Sequence, residues 1–320
     1  MPIVAIAGGT SPTLGRSIVR AIQSTSNVNT PIILTRHSDS APKTKWNAAV
    51  RQVNYENHVS LVAALHGVHT VISVIKVEGP QWYDFQLNLL RAAKEAGVKR
   101  FAPSEFGLGP LADERVGLLA LKGDVWDACQ ESGLEVARFN CGIFMNYLSM
   151  GCNFGGDEER VQEALAGLND VEVIWDLAGD KAEEPLKCDG SSPRITLTDI
   201  WDVGKFVAGA CELELGQWSG EMEMEGETIE VCKATELLEK YSGRKLKVTK
   251  VRRKELQAKA EAIDGMRIRK QVLNKMIAQF LMLEIDEEVG GALMEPTMNK
   301  LCPWVRAKSV EEYLQRCWRK

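Results

Sequence analysis

Long apolar runs are missing from this 320-residue sequence. No stretch approaches the roughly 20 residues that a membrane-spanning helix needs, so no membrane partner is expected. The opening MPIVAIAGGT enters a short strand-like run without the charged start and longer apolar core of a secretory signal, and a cytoplasmic placement is expected. Histidine is scarce. The four residues His37, His58, His66 and His69 all fall in loops or helix ends of the first half, and no G-x-S-x-G elbow occurs, so a Ser-His-Asp hydrolase finds no support. The eight cysteines form no C-x-x-C pair and have no histidine at ligand spacing, which argues against a metal site and fits a reducing compartment with free thiols acting as small core residues. Positive charge is not in excess either: the net charge is -5 and the pI about 5.6, so nothing draws the chain to nucleic acid or to an anionic membrane. The basic run from Lys245 to Lys254 lacks interleaved aromatics and reads as a solvated strand and helix start.

What is present is ordinary globular composition, 45% hydrophobic and 26% charged, with enough apolar side chains for a large core. Apolar runs alternate with segments of helical period over the first 140 residues or so. Ile3 to Ala7, Pro31 to Thr35, Arg51 to Tyr55, Thr70 to Ile75, Lys99 to Ala102 and Glu135 to Phe139 read as strands. Helices are expected at Arg16 to Gln23, Val59 to Leu65, Tyr83 to Ala96 and Leu118 to Glu131. This predicts an α/β chain with a Rossmann-type doubly wound parallel sheet and ligands at the carboxyl ends of its strands. After Tyr147 the rhythm changes. Strands at Val171 to Asp176, Arg194 to Leu197 and Glu221 to Glu230 alternate with helices at Ile200 to Leu213, Lys233 to Tyr241, Arg253 to Ala262 and Arg267 to Met282, which predicts a smaller α/β substrate lobe. The expected division is 1–150 for the nucleotide half and 151–320 for the lobe. The boundary is soft because no Pro/Gly/Ser linker marks it.

The turn Gly8-Gly9-Thr10-Ser11-Pro12-Thr13-Leu14-Gly15 sits between the first strand and first helix, where glycines let a backbone approach a pyrophosphate and a helix end offers N–H groups to it. Arg36 follows the second strand, where an acidic residue would bind the ribose hydroxyls of NAD; an arginine there favours a 2'-phosphate, hence NADPH. Lys43 and Lys45 are near enough to assist, or are exposed loop lysines. Lys122 lies at the edge of an expected apolar stripe of Leu118, Leu121, Val125, Trp126 and Cys129. On position alone it snorkels to the surface; beside a cofactor it could do acid/base work. Tyr241 and Lys245 have Y-x-x-x-K spacing, but Gly243 interrupts the segment, which reads as a helix end.

Arg100-Phe101-Ala102-Pro103-Ser104-Glu105-Phe106-Gly107 resembles the R-F-x-P-S-E-F-G segment of the isoflavone reductase, pinoresinol-lariciresinol reductase and phenylcoumaran benzylic ether reductase family. Asn140-Cys141 and the ending Pro303 to Leu314 match it too. Gly142 to Tyr147 is similar to the fungal NmrA-like branch, which contains both reductases and a redox-sensing regulator without turnover. The resemblance implies an NADPH/NADP+-dependent reductase of small aromatic or polyketide-like molecules, with Lys122 as acid/base and Arg36 and Lys45 on the 2'-phosphate. It implies that Ser73, Asn140 and Phe144 line the nicotinamide end. Its other branch implies an NADP(H) sensor acting through a protein partner. The glycine turn departs from the family's G-x-x-G-x-x-G: from Gly9 the middle glycine is Pro12, and from Gly8 the spacing does not fit.

Overall fold

Six strands come from the first 140 residues: β1 (Ile3–Ala7), β2 (Thr30–Thr35), β3 (Ala49–Gln52), β4 (Val68–Ser73), β5 (Arg100–Ala102) and β6 (Glu135–Asn140). The structure is a computed structural model that describes residues 1–25, 28–36, 48–77, 79, 81–152, 154–169, 173–262 and 269–318; His37, Lys43 and Lys45 lie outside them. The helices between these strands are α1 (Leu14–Thr25), α2 (His58–Leu65), α3 (Gln81–Glu95), α4 (Pro110–Arg115) and α5 (Ala120–Gln130). Further along come β7 (Ile143–Phe144), α6 (Glu158–Leu165), β8 (Trp175–Asp176), β9 (Lys181–Leu186), β10 (Arg194–Thr198), α7 (Ile200–Glu212), β11 (Gly220–Glu223) and β12 (Glu227–Glu230). The chain closes with α8 (Val231–Ser242), β13 (Lys247–Arg252), α9 (Arg253–Glu261), α10 (Arg269–Asp286), α11 (Thr297–Leu301) and α12 (Val310–Cys317).

The main sheet has seven strands in the order β11-β6-β5-β4-β1-β2-β3, every neighbouring pair parallel. Its inner part is the Rossmann order, in which the sequence of added strands switches from one side of β1 to the other between β1 and β4, opening a crevice at their carboxyl ends. Val4, Ala5, Ile6 and Ala7 are buried because both faces of β1 are covered, which is why these strands read as continuous apolar runs. Two small sheets, β12-β10-β7 and β13-β9-β8, carry the rest.

Two later elements return to the main sheet. Helix α7 packs on α1 so closely that a Cβ on Gly204 would lie 2.2 Å from Ser17 Oγ, whose hydroxyl donates to the Ile200 carbonyl at 2.6 Å. Strand β11 pairs with β6 at the sheet edge. Buried Arg100 fastens the loop between them: its Nε donates to Glu135 at 2.8 Å, Nη1 donates to the Leu213 carbonyl at 2.7 Å and Nη2 donates to the Glu214 carbonyl.

The sequence expectation differs from the structure at several points. Strand β3 ends at Gln52, short of Tyr55, because the Asn54 side chain accepts the Glu56 N–H and turns the chain. The expected strand from Glu221 to Glu230 is two strands of different sheets, broken near Gly226, where a Cβ would lie 2.6 Å from the Leu197 carbonyl oxygen. Strand β9 was not expected at all, since Lys-Ala-Glu-Glu-Pro-Leu carries charges and a proline. Leu118 and Leu121, assigned to the apolar stripe of α5, are 54% and 39% exposed: Leu118 precedes the helix, and the buried stripe is Val125, Trp126 and Cys129.

Candidate active site

The turn after β1 folds tightly on itself. Gly8 has φ +79, a conformation that side chains rarely adopt, and a Cβ there would sit 3.0 Å from the Val74 carbonyl oxygen in the loop after β4. A Cβ on Gly15 would lie 2.7 Å from the Gly8 carbonyl oxygen, so the start of α1 comes directly against the turn. Gly9 N–H donates to Ile6, Ser11 N–H to Gly8, and Thr13 N–H to Ser11 Oγ; the Ser11 and Thr13 hydroxyls are bonded at 2.8 Å. Thr10 and Leu14 complete it, half-buried. From the later half, Gly167 reaches Pro12: a Cβ on Gly167 would lie 2.6 Å from Pro12 Cβ.

Arg36 leaves the end of β2 exposed, with its guanidinium 5.9 Å from the centre of the Phe85 ring. It borders an open hollow of about 500 Å³ with Gln52, Val53, Asn54 and Ser60. Beneath, Tyr55 stacks on Phe85 at 5.4 Å. Burial pushes the Tyr55 hydroxyl above its ordinary pKa, and the Gly8 backbone and Arg36 charge pull back against it. A second hollow of about 250 Å³, lined by Lys205, Gly209, Glu212, Trp304, Val305 and Arg306, contains none of the residues expected to carry function.

At the carboxyl end of β4, Ser73 is fully buried and its hydroxyl has no hydrogen-bond partner among the described residues. Beyond β5 the P-S-E-F-G segment is tied at several points: Ser104 Oγ donates to the Ile75 carbonyl at 3.1 Å, Phe106 N–H donates to Phe139, and Gly107 accepts from the Cys141 and Gly142 N–H groups. Lys122 on α5 comes to this loop. Its Nζ donates to the Glu105 carbonyl at 2.8 Å, lies 3.3 Å from Glu105 Oε2, and keeps 16% of its side chain exposed. Glu105 Oε1 is buried and has no partner among the described residues.

The surroundings of Lys122 are charged, not the oily cleft its apolar stripe suggests. Asp113 on α4, Arg138 on β6 and Glu221 on β11 lie behind Glu105. Arg138 Nε is 2.6 Å from Glu221 Oε1, and its Nη1 is 3.4 Å from Asp113 Oδ2. Burial, then the Glu105 charge, push the Asp113 carboxyl up to about 7 against the pull of Lys122 and Arg138. Asn140 is buried with its amide donating to Glu221 Oε2 at 3.2 Å, so its side chain belongs to this cluster. Phe144, half-buried, packs both against Ile200 and Trp201 near the glycine turn and against the cluster holding Val74, Ala102 and Phe106 at the ends of β4 and β5. Sequence reasoning brought Lys122, Asn140, Ser73 and the glycine turn to one edge of the sheet but missed Asp113, Arg138 and Glu221. Only the register of β6 on β11, which pairs Arg138 with Glu221, brings that pair together.

The NmrA-like family profile matches residues 3–314, nearly the entire chain. This chain belongs to the NmrA-like family. Among curated relatives, the NmrA-like chain is 29% identical over 223 residues to oxidoreductase BOA1 of Botryotinia fuckeliana (strain B05.10), covering 67% of each protein. It is 31% identical over 140 residues to the bifunctional pinoresinol-lariciresinol reductase of Thuja plicata, where the match covers 41% of this chain and 45% of the plant protein. The fold is that of the binary complex of leucoanthocyanidin reductase with NADPH from Vitis vinifera, with TM-score 0.72, 20% identity and coverage of 99% and 100%. No helix among the described residues is long and apolar enough to cross a membrane.

Proposed function

We propose that this NmrA-like chain is an NADPH-dependent reductase that delivers hydride to an electron-poor carbon of a small aromatic or polyketide-like molecule, such as an enone, quinone or imine, with Lys122 as the acid. The observation that carries the reading is the Lys122 ammonium, held at the carboxyl edge of β5 by the carbonyl and carboxylate of Glu105 while keeping an open side. The relatives named as oxidoreductases and reductases support the same class.

The residues along this edge fit a dinucleotide. The glycine turn offers a close-packed backbone and the start of α1 to a pyrophosphate. Because the turn uses three of its own N–H groups internally, the Ser11 and Thr13 hydroxyls supply part of the polar contact. Arg36, with Lys45 beyond the described residues, holds the 2'-phosphate. The buried Ser73 hydroxyl, without a partner among the described residues, suits the polar side of the nicotinamide end, Phe144 its apolar side, and Asn140 steadies the edge through Glu221. NADPH supplies the hydride when bound. Lys122 then gives its proton to the atom that gains negative charge, with one of its hydrogens already bonded to the Glu105 carbonyl and the Glu105 carboxylate beside it. The eight cysteines are all unpaired, in keeping with work in a reducing cytoplasm.

NADPH consumption should be measured with a panel of quinones, enones and imines, using the wild type and Lys122→Ala. The variant is expected to bind NADPH normally and to lose about 100-fold or more of turnover. Unchanged turnover in Lys122→Ala removes the lysine from the chemistry. Tight NADPH binding by the wild type with no turnover on any member of the panel replaces the reductase reading with a cofactor sensor acting through a protein partner.

A further inference from the structure

The charged cluster behind Lys122 is larger than holding one lysine requires. With every group ionised, Lys122 and Arg138 face three carboxylates, Glu105, Asp113 and Glu221, leaving one negative charge in excess. The side chains of Glu105, Asp113 and Arg138 are 2%, 7% and 8% exposed, so water does little to screen that excess. Glu221 is the outer member, and Arg138 sits closer to it than to Asp113, at 2.6 Å against 3.4 Å. Asp113 is therefore the carboxylate with the weakest claim on a cation.

We propose that Asp113 is a positioning residue for Lys122: seated behind Glu105 and only loosely held by Arg138, it takes up or releases the cluster's one exchangeable proton and so changes the field at the Lys122 ammonium. The inference rests on Lys122 being the acid of the reaction, but the coupling itself is testable without turnover. The groups facing Asp113 are Glu105 from the loop after β5, Lys122 from α5, Arg138 from β6 and Glu221 from β11. From α10, Asp286 is engaged instead by Arg115 at 3.3 Å. One other carboxyl could imitate the effect. Burial pushes Glu223, two residues along β11, up to about 7 as well, against the Glu295 N–H it accepts. Cys141 is pushed up to about 12 by burial and stays protonated throughout.

In functional terms, a proton on Asp113 leaves the cluster neutral and weakens the negative field at Lys122. Once Asp113 ionises, that field strengthens against the departure of positive charge. Reduction should therefore slow as pH rises through about 7.

The test follows the Lys122 side chain directly. Full-length protein labelled with 13C and 15N in lysine is titrated by NMR from about pH 5.5 to about pH 9, the Lys122 Cε signal being assigned by its loss in Lys122→Arg. The expected result is an inflection near 7 in the wild type, absent in Asp113→Asn and retained in Glu223→Gln. The carboxyl carbon of Asp113, labelled separately in the wild type, should titrate over the same range, and this pair of wild-type titrations, together with the inflection retained in Glu223→Gln, decides the matter even if Asp113→Asn fails to fold. A Lys122 signal flat across that range overturns the proposal, as does an inflection that survives Asp113→Asn or vanishes in Glu223→Gln. Loss of the coupling leaves the acid role of Lys122 standing, whereas unchanged turnover in Lys122→Ala removes that role and leaves the coupling intact.

Discussion

Replacing Glu284 by methionine should stabilise the protein at alkaline pH and do progressively less as the medium is acidified. Glu284 lies on α10, fully buried, with neither carboxyl oxygen hydrogen-bonded among the described residues, and burial alone pushes its pKa from 4.5 to about 8. Below 4.5 the folded and unfolded chains both carry the proton, and the group adds no pH dependence. Above 4.5 the unfolded chain releases the proton while the folded chain retains it, so each pH unit costs about 1.4 kcal/mol. The loss stops near 8, where the folded chain also ionises. The whole span is on the order of 5 kcal/mol, and local opening toward water would reduce it, so about 2–4 kcal/mol between about pH 5 and about pH 8 is expected. Methionine matches the unbranched shape of glutamate, keeping the packing penalty small. Urea unfolding of the wild type and Glu284→Met, run side by side at about pH 5 and about pH 8, isolates the effect because every other titration cancels in the difference. A difference in stability equal at the two pH values would refute the reasoning.

Arg36→Ala should weaken NADPH by about 10-fold or more while leaving NADH nearly unchanged, since a charge-assisted contact contributes about 1.5–3 kcal/mol; fluorescence titration with both cofactors checks this, and equal losses would contradict a 2'-phosphate role. Arg100→Met leaves Glu135 and the Leu213 and Glu214 carbonyls without their buried cation, and a loss of about 3–5 kcal/mol is expected in urea unfolding. Gly204→Ala drives a methyl group against Ser17 and should cost about 1–3 kcal/mol by pushing α1 from α7, read as a lowered Tm.

The Rossmann half was legible because its strands are covered on both faces. Pro-Ile-Ile-Leu-Thr and Val-Ala-Ile-Ala are continuous apolar runs for that reason, and the helices between them carry a 3.6-residue period that short strands cannot imitate. Legibility fell where burial is one-sided or polar. Strand β9 buries Glu184 beneath Lys250 of β13, a pairing across the sheet that leaves no apolar alternation in its sequence. For the site, Lys122 stood out through the P-S-E-F-G resemblance, and the loop it points to is the one that holds it. Its charged neighbours could not be seen in advance: Arg138 sits in a strand, where it reads as an outward-facing residue, and only the late return of β11 gives it a partner. Glu284 was equally hidden, because a glutamate within a helix ordinarily reaches solvent.

The late return of α7 and β11 also governs how the gene could be divided. A fragment ending near residue 150 would bare Ile18 and Ile22 on α1 and leave β6 as a raw edge, its amides open to any passing strand. Exchange of the first 150 residues between relatives would meet the same obstacle, since the donor's missing helix and strand are encoded about fifty and about seventy residues downstream of the obvious seam. Helix α7 and strand β11 thus tie the chain beyond residue 150 into the same sheet and core as the strands before it.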